Sequence, residues 1–201
     1  MKAVRFAPPQ ARFEKAVFLD RDGTIIKETG YLYKPKDVVF LPGAVDALCR
    51  LRAAGCALIV ITNQSGIGRG YYKEDDYLAL THWLNAELEK QDARIDAFYA
   101  CPHHPDAGIG QYRMVCGCRK PAVGLFERAV RDFGLDLNRC IAIGGRLRDC
   151  AICGSTACRG FLIGQTESPE TLTAVKAGLF RNIRYAGDLA EAAELSAELL
   201  M

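Results

Sequence analysis

Short apolar runs alternate with amphipathic segments along most of this 201-residue chain. Continuous apolar runs are typical of parallel strands that are covered on both faces. Such runs, together with shorter strand-like segments, predict strands over residues 16–19, 56–61, 95–100, 140–143 and 160–163. Helical spacing of apolar residues predicts helices over 44–54, 73–89, 124–133 and 188–200. The alternation predicts an α/β fold, a doubly wound three-layer sandwich around a central, mostly parallel sheet.

Composition limits the class of protein. Residues 1–15 have no continuous apolar region of the kind a secretory signal needs, so we expect a short lead-in followed by one domain over 16–201. The net charge of +2, with both signs interspersed, argues against nucleic acid or an anionic membrane as partner. Nine clustered cysteines, an odd number, argue against a disulfide framework and favour a reducing cytoplasm. We expect a cytoplasmic monomer.

The first apolar run ends in two acidic residues, within A-V-F-L-D-R-D-G-T-I-I at 16–26. Residues i and i+2 of an extended segment face the same side, so Asp20 and Asp22 would crowd one spot. Such acids repel each other unless a cation or a reacting phosphate group is present. Mg²⁺ is commonly held by few carboxylates plus substrate phosphate oxygens, and a carboxylate can act as nucleophile through an aspartyl-phosphate. A simple turn would explain only one of the two acids.

Two further stretches can supply phosphate contacts. The stretch I-T-N-Q-S-G-I-G-R-G at 61–70 places short donors and glycines at a strand end, where they can bind phosphate oxygens, although alone it barely differs from a polar turn. Adjacent Arg119 and Lys120, in C-R-K-P at 118–121, usually form a solvated pair. Beside a phosphoryl site they would stabilise developing negative charge, and the planar fork of Arg119 would suit a second anionic or hydroxylated part of the substrate.

A Gly- and Pro-rich loop at 101–118 carries a metal-ligand pattern. Three thiolates and one imidazole form a closed tetrahedral Zn²⁺ set, which favours a structural site because no coordination position stays open. The ligands would be Cys101, His103, Cys116 and Cys118. The metal would hold the loop that carries Arg119 and Lys120. We expect His104 to face solvent or to support a ligand. For Cys150, Cys153 and Cys158, a second metal site is one interpretation, and buried packing is favoured.

The stretch D-R-D-G-T resembles motif I, D-x-D-G-[TV], of the haloacid dehalogenase-like phosphatases. The resemblance implies that Asp20 attacks phosphorus and that Asp22 serves first as general acid and then as general base. It also implies that Mg²⁺ is held by the Asp20 side chain and the backbone carbonyl of Asp22. By the same resemblance Thr62 holds the transferred phosphoryl group, Asn63 helps to orient it, and Lys120 is the motif III cation.

With the cysteine loop, residues 16–157 resemble one capless branch of that superfamily, the heptose 1,7-bisphosphate 7-phosphatases. This resemblance implies Mg²⁺-dependent removal of the 7-phosphate from a small sugar phosphate, through an aspartyl-phosphate intermediate. The histidinol-phosphate phosphatase branch, which typically has a shorter zinc loop, is the alternative. The implied substrate contacts are Glu28, Thr29, Gly30, Tyr31, Thr62, Asn63, Gln64, Ser65, Arg119, Lys120 and Arg146.

Motif IV departs from the family pattern. In place of G-D-K-L-x-D the chain has I-G-G-R-L-R-D at 143–149, so Gly145 replaces the Asp that completes the Mg²⁺ shell. Arg146 replaces the Lys, and the last acid, Asp149, is present. Either water or a shifted Asp149 fills the metal position, or the chain is a degenerate sugar-phosphate-binding protein. Because the other motif residues remain, we expect an active or weakly active phosphatase. Residues after Gly164 carry no recognisable chemistry.

Overall fold

The computed structural model describes residues 3–8 and 10–200, and the remaining positions of the predicted lead-in and domain (1, 2, 9 and 201) lie outside the described residues. Its strands form one seven-stranded sheet in the order β1-β4-β3-β2-β5-β6-β7. Only β1 runs antiparallel, against β4. The strands are β1 (Val4–Arg5), β2 (Lys15–Leu19), β3 (Cys56–Asn63), β4 (Ala97–Cys101), β5 (Cys140–Gly144), β6 (Arg159–Ile163) and β7 (Ile183–Ala186).

Helices cover both faces of the sheet. The α-helices are α1 (Ala44–Ala53), α2 (Ser65–Gly68), α3 (Glu74–Glu89), α4 (Gly124–Phe133), α5 (Pro169–Lys176) and α6 (Leu189–Leu200). Short 3₁₀ helices are Pro35–Asp37, Gly110–Tyr112, Leu137–Arg139 and Leu147–Gly154. Within the described residues, no helix has the length and apolar character to cross a membrane. The predicted three-layer α/β sandwich with a mostly parallel sheet is confirmed.

The continuous apolar runs follow from this layering. Successive side chains of a strand point to opposite faces, and here each face has its own apolar core. Val17 and Leu19 pack with residues of α1, α3 and α6, whereas Ala16 and Phe18 pack with residues of α4 and α5. Both alternating sets are therefore apolar, as expected for a sheet buried on both faces.

The structure adds elements that the sequence pattern did not predict. In the expected lead-in, β1 pairs Val4 with Phe98 at one edge of the sheet, and β7 forms the other edge. Both are short, and edge strands bury too little apolar surface to give a continuous run. Cys150, Cys153 and Cys158 are buried, and a Cβ added to Gly160 would crowd the Sγ atoms of Cys150 and Cys153. These cysteines pack against the strand as small apolar side chains.

The strand order fixes where a ligand can bind. From β2 the chain builds β3 and β4 on one side and then returns to place β5 on the other side of β2. In such sheets, connections diverge at this point and leave a crevice at the carboxyl ends of the strands. The backbone N–H of Asp20 donates to the carbonyl of Ile143 at 3.1 Å, so the first acid lies at the crevice.

Candidate active site

Two adjoining cavities of about 130 and 430 Å³ lie at the carboxyl ends of β2, β3 and β5. The smaller one is lined by Asp20, Asp22, Gly23, Glu28, Thr62, Asn63, Lys120, Gly145, Arg146, Arg148, Asp149 and Thr166. The larger one is lined by Arg21, Asp22, Glu28, Gly30, Tyr31, Leu32, Asn63, Gln64, Ser65, Gly66, Tyr72, Arg119, Arg146 and Arg148. Because five residues line both, the two cavities form one continuous cleft.

Lys120 joins two carboxylates in the smaller cavity. Its Nζ lies 2.8 Å from Oδ1 of Asp20 and 2.7 Å from Oδ1 of Asp149, and it donates to the Ile61 carbonyl at 2.6 Å. Burial alone would lower the pKa of Lys120, but attraction by Asp20 and Asp149 raises it above the ordinary 10.5. Lys120 is therefore a fixed cation beside Asp20.

Asp149 is the most deeply enclosed of these acids. Burial and repulsion by Asp20 raise its pKa, against the opposing pull of Lys120. Its Oδ1 pairs with Lys120, and its Oδ2 accepts from the backbone N–H of Arg146 at 2.9 Å. Both oxygens of this third candidate Mg²⁺ ligand thus already have protein donors.

The second acid is held by the residue between the two acids. Arg21, only 1% exposed, donates to both oxygens of Asp22, at 3.0 Å from Nε and 2.9 Å from Nη2. Burial works to lower the pKa of Arg21, but its ion pair with Asp22 raises it. The alternation of an extended strand would direct Arg21 away from Asp22. The chain turns here instead, with the N–H of Ile25 bonded to the Arg21 carbonyl, so the sequence pattern could not identify this contact.

The end of β3 supplies Thr62 and Asn63. Thr62 is buried and lines the smaller cavity. Asn63 uses its amide on the backbone of Lys120: its Oδ1 accepts from the Lys120 N–H at 3.0 Å, and its Nδ2 donates to the Lys120 carbonyl at 3.1 Å. Asn63 thereby positions the cation as well as lining both cavities.

The cysteine loop forms a compact four-atom cluster. The ligand atoms of Cys101, His103, Cys116 and Cys118 all lie within 4.8 Å of one another. Five of the six separations, all but that between His103 and Cys116, run from 3.2 Å to 3.6 Å. A zinc tetrahedron with bonds near 2.3 Å has edges of roughly 3.8 Å. The four residues could therefore hold Zn²⁺ after only a small expansion.

The hydrogen bond between two of these thiols supports the same interpretation. It lowers the pKa of Cys118 and raises that of Cys101, so one member of the pair is favoured as the thiolate that metal ligation requires. The loop is also linked to the larger cavity, because Arg119 donates from Nη1 to the His103 carbonyl at 3.2 Å. Partial burial lowers the pKa of Arg119, and Arg148 repels it further.

Arg146 and Arg148 complete the cationic lining at the end of β5. Arg146 donates from Nη1 to the Thr166 carbonyl at 2.6 Å, and Thr166 itself lines the smaller cavity. Residues after Gly164 therefore do contribute to the site, contrary to expectation, because the loop after β6 folds over the end of β5. Arg148 occupies the variable position of motif IV, next to Asp149, and carried no signal of its own.

The structure brings most of the predicted substrate contacts to the cleft. Of that set, Thr29 lines neither cavity, and its neighbour Glu28 lines both. Tyr72 joins the lining without having been predicted, because an aromatic residue before a helix gives no sign of which way its ring turns. The sequence pattern likewise gave no sign of the side-chain direction of three other lining residues, Arg21, Arg148 and Thr166.

Gly145 lies in the smaller cavity, as the comparison with motif IV implied. A Cβ added there would lie 3.3 Å from Oγ1 of Thr166 and 3.6 Å from the Gly23 carbonyl, so a side chain fits after a small adjustment. Apart from position 145, the atoms of the smaller cavity that could bind a metal beside Asp20 are carboxylate, carbonyl and hydroxyl oxygens. An all-oxygen set suits a hard cation such as Mg²⁺, which keeps several waters and tolerates few protein ligands.

Comparison with known proteins places this geometry in context. The family described as polynucleotide kinase 3 phosphatase matches residues 15–170. The D-glycero-beta-D-manno-heptose-1,7-bisphosphate 7-phosphatase of Haemophilus influenzae is 42% identical over 135 residues, which cover 67% of this chain and 73% of that protein. The D-glycero-alpha-D-manno-heptose-1,7-bisphosphate 7-phosphatase of Burkholderia mallei is 41% identical over 172 residues, 85% of this chain and 90% of that protein.

The fold comparison agrees with the sequence comparison. The crystal structure of D,D-heptose 1.7-bisphosphate phosphatase from B. bronchiseptica, complexed with magnesium and phosphate, is similar with a TM-score of 0.77 and 31% identity. The similarity covers 92% of this chain and 98% of that chain.

Proposed function

This chain belongs to the haloacid dehalogenase-like heptose 1,7-bisphosphate 7-phosphatases, and we propose that it hydrolyses the 7-phosphate of D-glycero-D-manno-heptose 1,7-bisphosphate. One observation carries the proposal. Asp20, the family nucleophile, shares a cavity with Thr62 and lies 2.8 Å from the ammonium of Lys120. A nucleophile, a hydroxyl donor and a fixed cation are the groups that phosphoryl transfer to a carboxylate requires.

In the first half-reaction a carboxylate oxygen of Asp20 attacks phosphorus, and the bond from phosphorus to the sugar oxygen breaks. Asp22 gives its proton to that leaving oxygen, which departs as the sugar hydroxyl. Lys120 and Thr62 stabilise the charge that develops on the phosphoryl oxygens, because fixed donors at such positions need no reorganisation during the reaction.

In the second half-reaction Asp22 takes a proton from water, which attacks the aspartyl-phosphate and releases inorganic phosphate and free Asp20. Both oxygens of Asp22 accept hydrogen bonds from Arg21, which holds the carboxylate in place to receive that proton. Asp149 pairs with Lys120 and so keeps the ammonium directed toward Asp20.

Mg²⁺ would be held by the Asp20 side chain and the Asp22 backbone carbonyl, and when bound it neutralises the phosphate charge that Asp20 must approach. Gly145 supplies no side-chain ligand here, so water would take that position. Zn²⁺ in the cluster of Cys101, His103, Cys116 and Cys118 has a structural role, since all four positions are taken by protein ligands.

The larger cavity supports a bisphosphate substrate over histidinol phosphate. Four arginines and two carboxylates line it, and the Arg21–Asp22 pair leaves three arginines facing Glu28. This excess of positive charge suits a second phosphate at the far end of the substrate. It disfavours the ammonium group of histidinol phosphate, which would be repelled. Relatives named for both the alpha and the beta anomer are about equally similar to the chain, so both anomers belong in the assay.

We also propose that the enzyme works as a cytoplasmic monomer, without a nucleic-acid or membrane partner. The net charge of +2 gives no broad cationic field for either polymer, and the free thiols suit a reducing compartment. Size-exclusion chromatography with light scattering at several concentrations tests the monomer. A stable dimer would overturn that part of the proposal.

Phosphate release tests the proposed activity directly. The wild-type chain, loaded with zinc, is assayed across a Mg²⁺ series with both anomers of the bisphosphate, the corresponding 1-phosphate and histidinol phosphate. Among these compounds, we expect Mg²⁺-dependent release from the bisphosphate and not from the 1-phosphate or histidinol phosphate. Asp20→Asn should lower the rate at least roughly a thousandfold, whereas Asp46→Asn, which changes an exposed carboxylate on α1, should not. Sugar-phosphate binding without turnover at any Mg²⁺ concentration would identify a degenerate phosphatase instead.

A further inference from the structure

The buried side-chain amide of Gln64 connects the two groups that would act on the substrate. Its Nε2 donates to Oδ2 of Asp22 and to Oγ1 of Thr62, each at 2.9 Å. Its Oε1 accepts from the Tyr72 hydroxyl at 2.5 Å and from Nη2 of Arg21 at 3.1 Å. All four hydrogen-bonding positions of the amide are therefore occupied, and Gln64 is only 3% exposed.

These four partners allow one orientation of the amide. A flipped amide would direct its N–H groups at Arg21, which can only donate, and its carbonyl at the carboxylate of Asp22. Both contacts would be repulsive in a buried site. Tyr72 and Arg21 thus determine that the N–H groups of Gln64 face Asp22 and Thr62.

The orientation of Gln64 has a consequence for Thr62. A hydroxyl has one proton to donate, and Oγ1 of Thr62 accepts from Gln64. The proton of Thr62 is therefore free to point elsewhere, and Thr62 lines the smaller cavity. A hydroxyl proton directed into the smaller cavity could donate to phosphoryl oxygens bound there.

Asp22 is constrained by the same amide. The guanidinium of Arg21 binds both of its oxygens, and Gln64 adds a third hydrogen bond to Oδ2. The third contact comes from the residue that directly follows β3, whereas Arg21 is adjacent to Asp22 in the chain. Gln64 therefore fixes the carboxylate relative to Thr62 and not only relative to its own loop.

The ring of Tyr72 is buried and held by packing. It is 6% exposed, and its ring stacks on Tyr33 at a centroid distance of 5.3 Å and an angle of 16°. A Cβ on Gly66 would collide with the Tyr72 ring, so glycine at the start of α2 permits the close approach. Burial raises the pKa of Tyr72, which keeps its hydroxyl a donor to Gln64.

We propose that Tyr72 and Gln64 are positioning residues, in which Tyr72 orients the Gln64 amide and Gln64 orients the Thr62 hydroxyl and the Asp22 carboxylate for phosphoryl transfer. The inference rests on the proposed function of Thr62 and Asp22. It assigns to Tyr72 an effect on the rate of chemistry that is transmitted through Gln64 and is separate from contact with the substrate.

A double-mutant cycle tests the inference, with Tyr72→Phe, Gln64→Met and the double variant assayed on the heptose bisphosphate. Tyr72→Phe keeps the ring and removes the hydroxyl, so kcat should fall about tenfold, as for one net hydrogen bond, with KM within about twofold. Gln64→Met should lower kcat about a hundredfold. If Tyr72 acts through Gln64, Tyr72→Phe should change kcat little in the Gln64→Met background.

The control is Tyr71→Phe, which removes the hydroxyl of an adjacent tyrosine that is 54% exposed and should leave kcat and KM unchanged. Equal effects of Tyr72→Phe in both backgrounds, or a rise in KM without a fall in kcat, would overturn the inference while leaving the proposed function intact. Absence of turnover in the wild type would instead overturn the proposed function, and the inference with it.

A spectroscopic measurement separates positioning from loss of folding. In isotope-labelled protein, the side-chain amide protons of Gln64 are assigned by their disappearance in Gln64→Met. They should shift in Tyr72→Phe and not in Tyr71→Phe, while the remaining spectrum and the melting temperature stay close to the wild type. Unshifted Gln64 protons in a folded Tyr72→Phe variant would contradict the proposed contact.

Discussion

On the side of the cleft formed by β2 and β3, the charged groups are buried and paired. Arg21 and Asp22 form an ion pair whose side chains are 1% and 14% exposed, and Lys120 is 2% exposed between its two carboxylates. On the side formed by β5, Asp149 belongs to the same buried pairs through Lys120, but Gly145 has no side chain to offer, Arg146 is partly exposed and Arg148 is exposed. The charged side chains are thus mostly buried and paired on the first side of the cleft, and mostly solvated on the β5 side.

The two sides should differ in how much stability the protein loses when one member of an ion pair is removed. Removing one member of a buried ion pair leaves a charge without compensation and destabilises the fold, whereas partly solvated charges contribute little to stability. The buried side therefore fixes the geometry of the reacting groups, and the exposed β5 side can lose a carboxylate at position 145 without damage to the fold. Substitutions on the two sides should separate these roles.

The largest effect should come from Lys120→Met, which breaks the buried side. We expect kcat to fall about 10²–10³-fold because a fixed cation beside the phosphoryl group is lost. The free energy of unfolding should fall by about 3–5 kcal/mol because Asp20 and Asp149 lose their shared partner. Steady-state kinetics and urea unfolding measure the two quantities.

The variant Lys120→Met with Asp149→Asn is the control for this prediction. Removing the second charge should recover part of the lost stability and none of the activity. Recovered activity would contradict the role of Lys120.

The pH dependence of stability should isolate the same ion pairs. The pKa of Lys120 is raised above 10.5 by Asp20 and Asp149 despite its burial, so the native state binds this proton more tightly than the unfolded state. Its contribution should be fully present below pH 10.5 and lost as the pH rises through the raised pKa. On the alkaline side, the stability difference between wild type and Lys120→Met should therefore hold up to pH 10.5 and shrink above it, in urea titrations. Protonation of Asp149 should shrink the difference separately in acid. A difference that already shrinks on the alkaline side well below pH 10.5 would contradict the assignment.

The next effect should come from the cysteine loop, which supports the buried side through Arg119 and Lys120. Cys116→Ser should lower zinc content below one ion per chain and reduce activity about 10–100-fold, as for other weakened metal sites. Metal analysis and kinetics measure both. Cys49→Ser, which changes a cysteine outside the loop whose thiol donates to the Gln91 carbonyl, should retain zinc and activity. Full activity of a zinc-free protein would exclude a supporting role.

A smaller effect should come from restoring the β5 side. Gly145→Asp should lower the Mg²⁺ concentration for half-maximal rate by about tenfold, equivalent to ~1.4 kcal/mol of binding, because a carboxylate returns to the cavity. Gly154→Asp, which adds the same side chain at an exposed position with no neighbouring atom within 4 Å, should leave the requirement unchanged. An unchanged requirement in Gly145→Asp as well would mean that position 145 does not face the metal.

The smallest effect should come from Arg148→Ala, at the exposed part of the β5 side. We expect KM for the bisphosphate to rise about threefold, since an exposed cation contributes only ~0.2–1 kcal/mol, with kcat unchanged. A heptose 7-phosphate without the second phosphate should show no such rise. Arg131→Ala, an exposed substitution on α4, is the control, and an equal effect on both substrates would show that Arg148 does not contact the second phosphate.

Local patterns were sufficient for the main sheet and for the motif residues. The runs at 56–61 and 140–143 lie within strands β3 and β5, because a strand buried on both faces needs apolar residues throughout. The edge strands β1 and β7 gave no such run. Asp20 and Thr62 could be named because each lies at a strand end in a recognisable motif, and Lys120 because C-R-K-P at 118–121 matches motif III.

The sequence by itself determined the fold class, the chemistry-bearing motifs and the metal-ligand set, because these depend on residue types at short spacing. Only the tertiary structure decided that Arg21 turns back onto Asp22, that Tyr72 reaches Gln64, and that Thr166 closes the cavity beside Gly145. These contacts join residues whose partners are set by how loops from different strands pack at one edge of the sheet. Loop packing depends on side-chain direction and on small clearances such as that at Gly66, and neither has a periodic signature in the chain.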